Sequence, residues 1–306
     1  MILITALLVT FAGGIVMAVQ SPTNTVLSKY IGNMQSTMLN FLVGLGILTI
    51  GVLLIGSGDL SRVTEAEPWM LFGGLYGVSI VLSITYVVPV LGVAMTLTII
   101  MLGQLIMGAV IDAFGWLRCE VIPITPLRVF GCLIIACGIL MVYRGRKSGS
   151  VGKIDRAYIR AAAVMFVTGL VSAMQSPTNV ALSGIIGTIE ASLINFLVGT
   201  IAIFLILMIR TKGRPLRGAQ TRGIRPWMLI GGLYGATSVF INVLVTPHLG
   251  VTLMIAANTF GQLGGAMVID SRGLLRTEKI SLSIWRLIGS LLVLAGVILV
   301  SITKAL

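Results

Sequence analysis

The hexapeptide VQSPTN at 19–24 returns as MQSPTN at 174–179, and this second appearance decides how the whole chain is read. NFLVG at 40–44 returns at 195–199 with the same displacement of 155 residues. Further on, PWMLFGGLYG at 68–77 returns as PWMLIGGLYG at 226–235, GQL at 103–105 returns at 261–263, and Ile111-Asp112 returns as Ile269-Asp270, all displaced by 158. The three additional residues fall in the loop between the second and third apolar segments, where insertions are tolerated. So many collinear matches identify a duplication, with one unit over 1–150 and its copy over 151–306.

Each unit is built for lipid. Of the 306 residues, 57% are apolar and 10% charged, and the mean hydropathy is +1.08. A soluble domain carries roughly 25% charged residues, so this chain cannot clothe a water-facing surface. At about 20 apolar residues per crossing, the runs place helices at 3–30, 36–55, 69–88, 92–111, 127–143, 158–185, 191–209, 227–246, 250–269 and 284–302. A membrane β-barrel would alternate polar and apolar residues, and LIIACGILMV at 133–142 does not. Helices satisfy every backbone amide within their own segment, so the expected fold is an all-α membrane protein of ten transmembrane helices. The opening MILITALLVTFAGG lacks a basic flank and reads as the first span rather than a cleaved leader.

Because five is odd, the second unit enters the bilayer from the opposite side. The charges give an independent check. Loops and flanks on one face collect seventeen basic residues, and the other face holds four: Arg62, Arg118, Arg128 and Lys304. The corresponding loops differ most sharply. Residues 56–67 carry Asp59, Glu65 and Glu67 with one arginine, whereas 210–225 carry six basic residues and no acid. The positive-inside rule then makes the five-helix repeats inverted and puts both termini outside the cytoplasm, on a chain expected in the plasma membrane. The net charge of +12 is absorbed by this topology signal, which leaves no reason to expect a nucleic-acid partner.

Inverted units related by a two-fold axis in the membrane plane are a transporter architecture, since exchanging the conformations of the two copies moves a midplane site from one side to the other. Polar side chains inside such helices are the default candidates for the path. Gln20 and Asn24 share a helical face with Pro22 between them, and Gln175, Pro177 and Asn179 repeat the arrangement. These amides either face a solute or bond helices together; both roles suit the pattern. Gln104, Gln262 and Asn258 form a second tier on helices 4 and 9, with threonines nearby. Three carboxylates are candidates for ion coupling. Asp112 and Asp270 stand at helix ends, where a salt bridge or cap competes with coupling, and Glu190 stands at a helix start, where the dipole favours it. The lone His248 reads as a surface imidazole at a helix start. Trp69, Trp116, Trp227 and Trp285 fall at span edges as an aromatic belt. Cys119, Cys132 and Cys137 make no metal-ligand or disulfide pattern and read as small buried hydrophobes.

The Q-x-x-x-N of helices 1 and 6, the NFLVG of helices 2 and 7, and the Gly-Gln followed by Asp and Gly at 103–115 and 261–273 resemble the YdcZ-like family of the drug/metabolite transporter superfamily in its fused ten-helix form. The resemblance spans essentially the whole chain. It implies an inner-membrane protein related to small multidrug-resistance pumps, which work as antiparallel pairs of short subunits. Those pumps use a glutamate in the middle of helix 1. This chain offers only Gln20 and Asn24 there, a departure from proton-coupled cation export.

The expected function is secondary transport of a small metabolite or drug-like solute by alternating access, by a monomer of two fused repeats embedded in the lipid bilayer. A channel-like or non-transporting membrane protein and a proton-coupled multidrug exporter are the alternatives. No enzyme is expected, since the chain carries no HExxH, no GxSxG and no close aspartate pair at midmembrane. No cofactor or metal is expected either. A pocket of amides and apolar groups suits a neutral, zwitterionic or weakly charged solute.

Overall fold

The computed structural model describes residues 2–91, 93–145, 156–213, 223–276 and 283–305. Eleven α-helices follow one another among these residues: α1 (Ile2–Ile31), α2 (Asn33–Ile55), α3 (Gly73–Leu91), α4 (Val93–Phe114), α5 (Pro126–Gly145), α6 (Arg156–Ser172), α7 (Gln175–Ile186), α8 (Thr188–Arg210), α9 (Gly231–Leu249), α10 (Val251–Arg272) and α11 (Ile284–Ala305). Eight helical segments are long and apolar enough to cross a bilayer, with α6 and α7 together forming one of them, Arg156–Ile186. The apolar stretches Pro68–Ile84 and Pro126–Val142 are shorter.

The two QSPTN copies fold differently. Pro22 lies inside an unbroken α1, whereas the chain turns at 173–174 between α6 and α7. There the Met174 N–H donates to Val171 O at 3.1 Å, an i to i−3 bond that tightens the last turn. Pro177 has no N–H to offer the Ala173 carbonyl four residues back, so the α-helical ladder has no bond to carry it across. The third span also departs from one uniform helix. Pro68–Phe72 winds as a 3₁₀ turn before α3 begins at Gly73.

Two reversals depend on glycine. Gly32 joins α1 to α2 at φ 90°, and Gly187, 155 residues later, joins α7 to α8 at φ 104°. L side chains are strained at such angles, so a one-residue hairpin between long helices selects glycine.

Packing repeats across the halves. α1 lies against α10 and α9, as the α6–α7 pair lies against α4 and α3; α2 crosses α8, and α5 crosses α11. The α5–α11 contact is the closest in kind. A Cβ on Gly138 would sit 2.6 Å from Gly289 O, and one on Gly289 the same distance from Gly138 O, so only small residues permit this approach. At one end of the bundle the Gly58 N–H donates to Glu190 Oε1 at 2.9 Å, seating the 56–67 loop on the start of α8. At the other end Tyr30, closing α1, packs within 3.3 Å of the position a Cβ on Gly223 would take. The α1–α2 turn and its copy, the α7–α8 turn, therefore lie at opposite ends.

The structure revises several details of the sequence reading. His248 occupies the last turn of α9 rather than a helix start, and it is exposed. Cys137 is exposed on α5 instead of buried, and none of the three cysteines is in a disulfide. Arg128 and Arg286, counted as topology charges, are 4% and 1% exposed and form ion pairs inside the bundle. One comes off each side of the tally, so the bias stands. Arg146, Lys147, Lys153, Arg214, Arg217, Arg222 and Lys279 lie outside the described residues.

Candidate functional site

Two amide clusters meet across the halves. In the first, Gln20 and Asn24 of α1 and Asn40 of α2 pack on the glycine face of α9. A Cβ on Gly231 would strike Asn24 Oδ1 and come within 2.5 Å of Asn40 Oδ1, and one on Gly235 would lie 2.7 Å from Gln20 Nε2. In the second, Gln175 and Asn179 of α7 and Asn195 of α8 pack on α3. A Cβ on Gly73 would strike Asn179 Oδ1 and come within 2.8 Å of Asn195 Oδ1, and one on Gly77 would lie 3.2 Å from Gln175 Nε2. Each triad comes from one half and its glycine floor from the other. The GGLYG motif is thus a platform on which amides can lie against backbone, a close approach that any side chain would block.

Between the triads stands an aromatic pair that the duplication also relates. Phe41 and Phe196 are tilted rings with centroids 5.4 Å apart. Phe196 Cζ lies 3.6 Å from the Cβ position of Gly235, beside Gln20, and Phe41 Cζ lies 3.5 Å from that of Gly77, beside Gln175. Asn40 is about 10 Å along α2 from its start at ~1.5 Å per residue, and Asn195 is as far along the antiparallel α8. The triads are therefore displaced toward opposite ends, with the aromatic pair between them.

The second-tier amides form a separate line. Gln262 Nε2 donates to Asn258 Oδ1 at 2.6 Å, and Asn258 Nδ2 donates to Asn242 Oδ1 at 3.2 Å. Ser176 Oγ lies 2.7 Å from Thr246 Oγ1 and also reaches Asn242 O, so the line ends next to Gln175. Ile84 and Ile100 stand where the first half would need Asn242 and Asn258, which confines this line to one half. Gln104 does not join it. Its Nε2 donates to Ser172 Oγ at 2.9 Å across the α4–α6 contact.

The carboxylates are engaged elsewhere. Asp112 ends α4 with no side-chain exposure and pairs with Arg128 Nη2. Its oxygens also accept from the first amides of α10, Val251 N at 2.7 Å and Thr252 N at 2.8 Å. Arg128 donates besides to Ile122 O and Thr252 Oγ1, both at 2.9 Å. This is a helix N-terminus and a guanidinium sharing one anion, with both partial and full positive charge on it. The copy, Asp270 with Arg286 at 2.8 Å, occupies the matching place in the second half. Glu190 is 1% exposed in the first turn of α8, bonded to Gly58 N. Gln35 holds the corresponding position in the first half.

Sequence reasoning passed over Asn40, Asn195, Arg128 and Arg286 as site or cluster members. Each had a visible signal: Asn40 and Asn195 open the repeated NFLVG, and both arginines follow their aspartates by 16 residues.

No curated protein matches the chain. Twenty-eight chains of solved structures are similar. One crystal structure, described only as that of a protein, aligns over 96% of each chain with a TM-score of 0.70 at 16% identity, a likeness of fold. The profile of the family described as "Putative inner membrane exporter, YdcZ" matches residues 5–141 and 161–299. Two successive matches, one per half, mean that the chain belongs to the YdcZ family and is a multi-pass membrane transporter of the inner membrane.

Proposed function

We propose that the chain is a secondary transporter that moves a small metabolite or drug-like solute by alternating access, as a monomer of two fused and inverted five-span halves with both termini outside. One observation carries the reading: two amide triads related by the duplication, each seated on the glycines of the opposite half, flank the Phe41–Phe196 pair. A rocking of one half against the other opens one triad while closing its mate, because each triad rides on the glycine floor of the opposite half. The solute passes between them as the two rings part. Asn258 and Gln262 supply further polar lining next to Gln175, and Gln104 ties α4 to α6. In this reading Asp112 acts as a clasp between the halves and Asp270 as the ion-pair partner of Arg286, rather than as ion-coupling groups. Glu190 seats the 56–67 loop.

The test is solute flux in proteoliposomes, with the solute chosen by thermal-shift screening, since binding to the folded form raises apparent stability. Gln20→Ala and Gln175→Ala each reduce flux at least about tenfold if a charge-free hydrogen bond of ordinary strength is lost in the transition between states. Unchanged flux in both variants removes the triads from the path.

A further inference from the structure

The two triads are not in the same hydrogen-bonding state. In the second half Asn195 Oδ1 accepts from Asn179 Nδ2 at 3.1 Å and from Gln175 Nε2 at 3.2 Å, so the cluster closes on itself. In the first half Asn24 Oδ1 and Asn40 Oδ1 are both buried, and neither accepts a hydrogen bond. Asn40 as a whole is 7% exposed. Both oxygens converge on Gly231, where an added Cβ would meet them before anything else. Two carbonyl oxygens held against the same glycine backbone repel each other, and each buried acceptor without a donor is destabilising. A ligand that brings donors relieves both effects.

The surroundings narrow the ligand's chemistry. One helical turn from Asn24, Gln20 Nε2 faces Gly235, and Phe196 Cζ approaches the same glycine. The cluster therefore presents two acceptors, then one donor, then an aromatic edge. No charged side chain is among the groups that meet these glycines. An ammonium would bury its charge there without a counter-ion, and a carboxylate would bring acceptors to face acceptors. A primary amide matches the set, being neutral with two N–H donors on one nitrogen and a carbonyl beside it.

We propose that the first-half triad binds the primary carboxamide of the solute, or the chemically equivalent ureido group. Its NH₂ donates one hydrogen to Asn24 Oδ1 and the other to Asn40 Oδ1, its carbonyl accepts from Gln20 Nε2, and its apolar body rests on Phe196. This inference rests on the reading of the triads as transport sites. When the solute leaves, a half-turn of the Asn24 carboxamide brings Nδ2 to Asn40 Oδ1 and gives the first half the closed pattern that Asn179 and Asn195 show. The two halves then hold one site in its receptive and its closed form.

Benzamide, N,N-dimethylbenzamide and benzoate, titrated at neutral pH against the full-length protein, test the assignment through thermal shift and Kd. They share a ring and a carbonyl, and only benzamide carries the N–H pair. Benzamide stabilises the protein saturably and binds at least about tenfold tighter than the other two, the equivalent of one ordinary hydrogen bond. Asn40→Leu abolishes that preference. Equal binding of benzamide and its dimethyl analogue overturns the proposal, and this comparison needs no variant. Benzamide binding that survives in a folded Asn40→Leu protein also overturns it, since the amide then sits elsewhere. If benzamide fails while flux of other solutes still depends on Gln20 and Gln175, the transport reading stands and only the carboxamide assignment falls.

Discussion

Removing the charge of Asp112 is the sharpest perturbation of the bundle. The carboxylate has no side-chain exposure, and Arg128, its partner, has 5%. Asp112→Asn keeps the size of the group and one carbonyl oxygen for Val251 N, now 2.7 Å away. It turns an NH₂ toward either the Thr252 N–H or the guanidinium, and it leaves Arg128 buried with no anion. Breaking a buried ion pair from one side costs about 3–5 kcal/mol. Arg128→Met is milder, because Asp112 keeps the two α10 amides and the positive end of that helix, worth about 2 kcal/mol of residual stabilisation at a partly buried site. The double variant leaves no buried guanidinium without its anion, so the two effects fall short of additivity by about 2 kcal/mol, within the range for residues in direct contact. Equilibrium unfolding in mixed micelles, followed by tryptophan fluorescence, reads all four corners of the cycle. Asp112→Asn within about 0.5 kcal/mol of the parent, the usual range for a surface change, refutes the clasp. So does simple additivity.

The glycine floor makes an equally direct claim: Gly231→Ala and Gly73→Ala abolish flux, because the new Cβ meets amide oxygens, whereas Gly184→Ala and Gly264→Ala, with nothing within 4 Å of the added atom, leave it intact. Glu190→Gln retains an acceptor for Gly58 N, so folding and flux survive it, while Glu190→Ala frees the 56–67 loop to faster proteolysis; a pH-dependent flux that vanishes in the Gln variant would instead make Glu190 a coupling group. The same loop responds to acid. Hydrogen bonds from the Ser61 hydroxyl and amide hold the Asp59 carboxyl below its ordinary value of 3.8, and Arg62 does the same to Glu65. A depressed carboxylate stabilises above its unfolded pKa and loses that contribution as pH falls through the folded one, so loop protection against hydrogen exchange declines below the ordinary carboxylate range, less so in Asp59→Asn.

Much of this was legible in the sequence because duplication writes the residues of the triads twice. Eight of the ten expected spans followed from apolar length, and the pairing of Gln20 with Gln175 and of Asn24 with Asn179 followed from one displacement. What stayed hidden was tertiary. Nothing in QSPTN says that one copy runs through an unbroken α1 while the other follows a break, since the outcome depends on what packs around each. Asn40 sits in the NFLVG run used to detect the repeat, yet only the approach of α2 to α1 over α9 gives its amide a role. Arg128 and Arg286 looked like loop charges because they stand near span ends; burial against Asp112 and Asp270 is a property of the folded bundle. The polar line through Asn242 and Asn258 breaks the symmetry, and a reading built on the repeat discounts what occurs once.

Side-specific labelling reaches the core of the account. With Cys119, Cys132 and Cys137 replaced, Ser57→Cys and Lys212→Cys place single thiols in the two corresponding loops, both at exposed positions. A membrane-impermeant maleimide added to intact cells labels Ser57→Cys at once and Lys212→Cys only after permeabilisation. Labelling of both from the same side would contradict the antiparallel halves and, with them, the exchange of triads between the two faces of the membrane.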